Sequence, residues 1–393
     1  EEIRVTKELL GLPPDERFYV PDEVRELYRR CIPRGQAMRQ EWEARLAAWD
    51  GDRKRFEACL EGRGLDGWEA KLPTFESDEK MATRKASNKC LQAVADVVPG
   101  LIAGGADLTE NTGTFLKEHG VQCAEDPGGR LLYFGIREHG MGSIMNGAAL
   151  HGGIVPLGGT FFIFSDYMRP AVRLAAISEA KVIYSWTHDS VGLGEDGPTH
   201  QPIEQIAAIR AIPRLRLIRP ADANETAHAW RVAVNGNGPT GLLLTRQDVP
   251  VLDGTADRAD DVAKGAYVLH QGGSDPDLIL VGTGSEVHVC LEAAERLAGE
   301  GVVARVVSMP SWDLFELQDD EYQESVLPSE IPTLAVEAAA SLGWDRYADD
   351  SVSIDGRFGA SAPGKTVLAK LGFTPENVAE RAKALLAALE DEE

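Results

Sequence analysis

Cysteine is scarce and badly placed for cross-linking in this 393-residue chain: Cys31, Cys59, Cys90, Cys123 and Cys290 are odd in number, far apart and without CxxC spacing. That excludes a disulfide framework and a cysteine zinc site, and it fits a reducing compartment. No apolar run is long enough to span a bilayer, and the N-terminus has neither a basic start nor an apolar leader core. Cytoplasm is therefore the expected location, with no membrane partner. Positive charge is also short, with 40 Lys and Arg against 63 Asp and Glu and a formal net charge of −23. Nucleic-acid binding needs clustered Lys and Arg, so no such partner is expected. The acidity favours solubility, and a few basic residues gathered in one cleft still suffice for a small anion. HExxH spacing is missing as well, as are short repeats and low-complexity tracts. The chain opens on Glu1 rather than Met, which hints at a trimmed or partial product.

What remains is a globular composition, 43% hydrophobic and 26% charged, at a length that suits two domains and a connecting segment. Residues 1–77 are polar, and Met38, Trp42 and Leu46 recur every fourth position as one stripe of an amphipathic helix, so this segment reads as a helical connector. From residue 78 the texture changes. Continuous apolar runs at 100–107, 131–138, 153–161, 180–189, 215–222 and 240–248 suit strands buried on both faces of a parallel sheet, with helices such as 166–179 and 223–235 covering them. A Gly/Asp-rich stretch at 253–264 reads as a linker. A second α/β unit follows, with strands at 277–284, 304–310 and 333–338 and helices near 286–300 and 375–390. The expected fold class is α/β, with two doubly wound parallel-sheet domains at 78–252 and 265–393 behind a helical segment at 1–77.

In open parallel sheets, ligands sit beyond the carboxyl ends of the strands. The residues that follow the runs are Asp107, Glu138, Phe161 with Phe164, His188 with Asp196 and His200, and Arg246. Each alone has a bland explanation as a surface charge, a core aromatic or a structural histidine; together they describe a reactive cleft. The most specific stretch is YSWTHDSVGLGEDGPTHQPIEQ at 184–205, where a strand delivers His188 and Asp189 and a Gly-rich loop returns with His200. Two histidines there can donate hydrogen bonds to oxygens and shuttle protons near neutral pH. A zinc reading fails, since the spacing is not HExxH and no cysteine accompanies the pair. No metal ligands are nominated.

The chain resembles the transketolase family through TRKAS (83–87), GGADL (104–108), GIREHGM (135–141), TFFIFSDY (160–167), THDSVGLGEDGPTHQPIEQ (187–205), TRQD (245–248) and VVSMPSWDLFE (306–316). That resemblance implies thiamine diphosphate as cofactor and transfer of a two-carbon ketol unit between sugar phosphates, such as xylulose 5-phosphate and ribose 5-phosphate, in the pentose phosphate pathway. It implies that Glu138 works against the aminopyrimidine ring, and that Phe161, Phe164 and Tyr167 form the wall that packs it. Asp107 falls in the cofactor shell. Arg84 and Arg246 match residues that grip the sugar phosphate, while His188, His200 and Asp196 match residues near the reacting carbonyl and hydroxyls. Asn111 stands where the family has a phosphate-contacting serine.

The resemblance also implies what is expected to be missing: the N-terminal diphosphate-binding domain, and Mg2+ with it. The chain then carries half of each active site and needs a homodimer or an N-terminal domain or subunit as partner. The connector at 1–77 favours a truncated product over a dedicated subunit. A dihydroxyacetone synthase-like enzyme and a non-catalytic assembly subunit of a split transketolase are the alternatives. GTGSEV (282–287) follows a strand and opens a helix, but it corresponds to the family's C-terminal domain and has no expected chemistry.

Overall fold

The computed structural model describes residues 1–390. It divides into two compact units, 1–53 and 54–393. The first holds the helices Glu2–Leu9, Asp22–Arg29 and Cys31–Ala48. Met38 and Trp42 lie on the longest of these, and both are exposed.

The larger unit carries two sheets. The first is built from β1 (Leu101–Gly105), β2 (Leu131–Tyr133), β3 (Val155–Phe161), β4 (Ile183–Thr187), β5 (Arg216–Ile218) and β6 (Thr240–Leu244). Its order is β2-β1-β3-β4-β6-β5, and every pairing is parallel. β3, β4 and β6 are buried at every position, as continuous apolar runs require when helices cover both faces. The segments on either side of this sheet are tied by a two-residue antiparallel ladder, Lys80–Met81 with Val249–Pro250.

The second sheet holds β7 (Tyr267–His270), β8 (Leu278–Gly282), β9 (Ala304–Ser308), β10 (Thr333–Val336) and β11 (Asp350–Val352), ordered β11-β10-β8-β9-β7. β7 runs antiparallel to β9, so this sheet is mixed rather than wholly parallel. The expected linker at 253–264 contains a short helix, Ala259–Val262.

Local chemistry explains the helix starts. Asp222 caps the helix Ala223–Asn235 by accepting from the Glu225 N–H at 2.8 Å, and its other oxygen accepts from Leu252 N–H and the Thr255 hydroxyl. Such a cap contributes about 1 kcal/mol, and here it also pins the linker. The helices Glu138–His151 and Ser165–Ile177 lie side by side, joined by Asn146 Nδ2 donating to the Ala171 carbonyl at 2.8 Å. Gly142 on the first of them permits this close packing: a Cβ there would come within 2.9 Å of the Ala171 Cβ.

Candidate active site

β3 ends in Phe161, and a single 3-10 turn, Phe162–Phe164, leads directly into the helix that carries Tyr167. This tight connection lines up three rings. Phe161 and Phe164 are 5.9 Å apart between centroids and nearly parallel at 7°, and Phe164 lies 5.9 Å from Tyr167. Phe161 is 8% exposed but Tyr167 is 67% exposed, so the row runs from the interior to an open face.

β4 lies next to β3 and delivers His188 onto Phe161, with centroids 3.6 Å apart. His200, returning on the Gly-rich loop, meets Phe164 edge-on at 5.5 Å. Each histidine has its Nδ1 within 2.9 Å of the hydroxyl of the preceding threonine, Thr187 and Thr199. Burial, then Arg84, Arg246 and His200, push the His188 imidazole down to about 3. It is a neutral ring at physiological pH, able to donate or accept one hydrogen bond but not to serve as a cation.

Arg84 stands in the first turn of the helix Thr83–Val94, and Arg246 follows β6. Arg84 donates to the Asn111 carbonyl, and Arg246 donates to the Leu193 carbonyl at 3.2 Å. Neither forms an ion pair among the described residues, because the nearby Asp248 is held by Lys85 at 3.0 Å. Burial and then Arg246 lower the Arg84 guanidinium, which remains charged. Two guanidinium groups without carboxylate partners among the described residues stand beside a neutral histidine, a chemistry that suits an anion.

Glu138 is the first residue of its helix and 8% exposed, and its carboxyl has no hydrogen-bond partner among the described residues. Asp107 follows β1 and is exposed, as are Asn111 and Asp196. The structure therefore brings Phe161, Phe164, Tyr167, His188 and His200 into ring contact and sets Arg84 and Arg246 around them. Asp107, Glu138 and Asp196 sit at the same carboxyl ends or loops, with no hydrogen bond or ion pair to that cluster among the described residues. Among the described residues no group of three His, Cys, Asp or Glu side chains is placed to hold a metal ion.

Residues that motif reading passed over hold the loop in shape. Gln201, 2% exposed, donates from Nε2 to the carbonyls of Gly194 and Ala360 at 3.0 Å each, joining the loop to the C-terminal half. Gly364 packs so closely that a Cβ would lie 2.2 Å from the Gly192 carbonyl oxygen. Asp189 is ion-paired with Arg219 at 2.8 Å, both side chains being 1% exposed. An arginine inside the apolar run 215–222 was the available sign of this pair.

An open aromatic row, a buried carboxyl without a hydrogen-bond partner among the described residues and two guanidinium groups outside any ion pair thus stand beyond the ends of parallel strands, where α/β folds bind ligands. Comparison with known proteins narrows this. The transketolase pyrimidine-binding domain profile matches residues 79–251, and the transketolase-like C-terminal domain profile matches 265–374. The transketolase thiamine diphosphate binding domain matches 1–65. The chain belongs to the transketolase family. It is 48% identical to the transketolase of Geobacillus stearothermophilus over 398 residues, covering 98% of this chain and 59% of that protein. The transketolase of Pichia stipitis in complex with sedoheptulose 7-phosphate superposes with a TM-score of 0.93 at 39% identity, covering 99% of this chain and 59% of the other. A split-gene transketolase chain, described as an inactive β4 tetramer, matches with a TM-score of 0.64 at 25% identity, covering 78% of this chain and 99% of that one.

One expectation is corrected. The diphosphate-binding domain is not absent, since residues 1–65 match part of the chain to it. Sequence reading took these residues for a plain connector because they carry none of the glycine and asparagine features of a diphosphate site. The chain spans 59% of the length of the curated relative.

Proposed function

We propose that this chain supplies the pyrimidine side of a transketolase active site, serving transfer of a two-carbon ketol unit from a ketose phosphate to an aldose phosphate. The unpaired guanidinium groups of Arg84 and Arg246, facing His188 and the aromatic row, carry this reading. A sugar phosphate offers an anion for the two arginines and hydroxyls for the histidines. We assign residues 78–252 to the pyrimidine-binding domain and 265–393 to the C-terminal domain, with 1–77 as the helical segment leading into them.

The residues present suit the cofactor. Phe164 and Tyr167 offer ring faces toward the open side, and Glu138 has a carboxyl free to bind a ring nitrogen. Thiamine diphosphate, when bound, supplies a nucleophilic carbon that can break and re-form the bond beside a ketone. In this reading Glu138 holds and shares a proton at the aminopyrimidine ring, in a setting that a largely buried carboxyl provides. Phe161, Phe164 and Tyr167 pack the ring and keep water from it, and Asp107 completes the shell. His188 and His200 donate to the substrate carbonyl and hydroxyls, Asp196 accepts from a donor hydroxyl, and Asn111 stands at the phosphate end. Mg2+ and the diphosphate belong to the family's diphosphate-binding domain.

Pairing of two chains, or with further diphosphate-domain residues, fits the exposed Ile144, Leu150, Leu174 and Ile177 on the two neighbouring helices beside this site. Five free cysteines support a cytoplasmic location. A second reading, an assembly subunit, has in its favour the fold shared with a split-gene chain described as inactive.

The test is ketol transfer from xylulose 5-phosphate to ribose 5-phosphate with thiamine diphosphate and Mg2+, the chain being supplied with a complete transketolase diphosphate-binding domain. Activity is expected, with Glu138→Ala slower by roughly 10²-fold or more. A variant within a few fold of wild type removes Glu138 from its role, and a silent wild-type mixture favours the assembly reading.

A further inference from the structure

The GTGSEV turn of the C-terminal half has no part in the chemistry above, yet it contains a carboxylate, Glu286, that is 1% exposed. Glu286 Oε2 accepts from the Ala338 N–H at 3.0 Å and from Arg219 Nη1, while Oε1 accepts from the Ser285 hydroxyl at 2.6 Å. Arg219 also donates to the Thr283 carbonyl at 2.8 Å, and its Nε donates to Asp189 Oδ2 at 2.8 Å. Its backbone is fixed as well, donating to the Pro310 carbonyl and accepting from the Gly284 N–H. A carboxylate of one half, an arginine and a carboxylate of the other thus form a continuous buried chain ending one residue from His188.

We propose that Glu286 is a positioning residue for His188, acting through Arg219 and Asp189. The inference rests on His188 working in the proposed site.

Two observations support it. His188 has a φ of 60°, in the left-handed region that is unfavourable for a residue with a side chain. Such a conformation persists only where its surroundings fix it. On one side Thr187 is held in the sheet opposite Leu244; on the other Asp189 is held by Arg219. The left-handed turn swings the imidazole onto Phe161 instead of letting it continue along the strand. Stability gives no separate reason for the triad, because apolar residues in the place of buried ion pairs are often as stable or more so. The same turn also reaches the phosphate side of the site: the Ser285 hydroxyl lies 3.4 Å from Nε2 of Gln247, the residue after Arg246.

The experiment needs neither cofactor nor turnover, so its failure is distinct from failure of the proposed function. Histidine is labelled with 13C at Cε1 in the whole chain, and the loss of one signal in His188→Gln assigns His188 among the 8 histidines. Arg84, Arg246 and His200 face the ring and Asp189 flanks it. In the wild type its signal is expected to be single and unchanged from pH 5 to 8. Glu286→Gln is expected to shift or split that signal, as an imidazole no longer held in one position on Phe161 would. Asp189→Asn should do the same, and it decides the matter if Glu286→Gln does not fold. Glu225→Gln, a buried change outside the triad, should leave the signal in place. A Glu286→Gln protein that melts earlier but keeps the wild-type His188 signal overturns the proposal. So does a Glu225→Gln protein whose His188 signal moves as much.

Discussion

Replacing Arg210 with methionine should destabilise the larger unit by about 3–5 kcal/mol, the cost of breaking a buried pair and leaving one charge behind. Arg210 ends the helix Gln205–Arg210 in the pyrimidine half and meets Glu337 of the C-terminal half through two hydrogen bonds of 2.8 Å. Exposure decides the magnitude. The two side chains are 8% and 1% exposed, so the cost of about 0–1 kcal/mol that applies to surface pairs does not. The guanidinium also lies 3.9 Å over the Trp312 ring, and Trp344 Nε1 donates to the same carboxylate at 2.9 Å. Burial pushes the Glu337 carboxyl up, but Arg210, with Arg219 and the Trp344 N–H, more than offsets this and holds it below its ordinary value. Without Arg210 only the two weaker contributions remain. Urea unfolding followed by tryptophan fluorescence is the assay, because Trp312 and Trp344 border the pair. A double change, Arg210→Met with Glu337→Leu, should recover most of the loss, since no unpaired charge remains. A single variant costing less than about 1 kcal/mol, or a double variant no better than the single, would refute the reasoning.

Glu225 should give the unit a pH-dependent stability. Burial, then Asp222, raise its carboxyl from 4.5 to about 7, with Tyr267 and Ser308 hydroxyls donating to it. A raised carboxyl favours the protonated fold, so its contribution of about 3 kcal/mol is present below pH 4.5 and lost as pH rises through 7. Glu225→Gln should flatten that part of the stability profile in urea titrations, and an unchanged slope would count against the assignment. Arg246→Ala should raise KM for phosphorylated sugars far more than for unphosphorylated ones, and equal effects on both would mean that it does not grip phosphate.

The strands of the first sheet were legible because burial on both faces leaves a continuous apolar run that needs no partner information: 240–248 contains β6 and 153–161 contains β3. The helix 223–235 was equally plain, with an Asp at its cap. β7 and β11 were not. They are edge strands of four and three residues, partly exposed, and their pairing depends on β9 and β10 far along the chain. In the site, the rings and histidines were legible because they close strands and stand in a specific stretch. The left-handed turn at His188 was not, since a positive φ at a non-glycine residue is imposed from outside. The residues proposed to impose it, Arg219 and Glu286, lie 31 and 98 positions away, and one of them sits in the GTGSEV turn, from which no chemistry was expected.

That separation says something about how the two halves divide the work. His188 follows β4, Arg219 follows β5, Glu286 follows β8 through one turn and Glu337 follows β10. The carboxyl ends of both sheets therefore supply the charges of one junction. In a parallel sheet these ends are where loops converge and where ligands bind. On the two proposals above, the pyrimidine half uses its ends for the site and the C-terminal half uses its own to hold the first set in place. A sheet so used needs no reactive group of its own, which is why its strand-end residues are a glutamate facing an arginine and a serine facing a glutamine rather than an exposed nucleophile. Changes at those ends should then alter the shape of the Gly-rich loop, while changes of equal cost in the apolar layers of the same half should leave it intact.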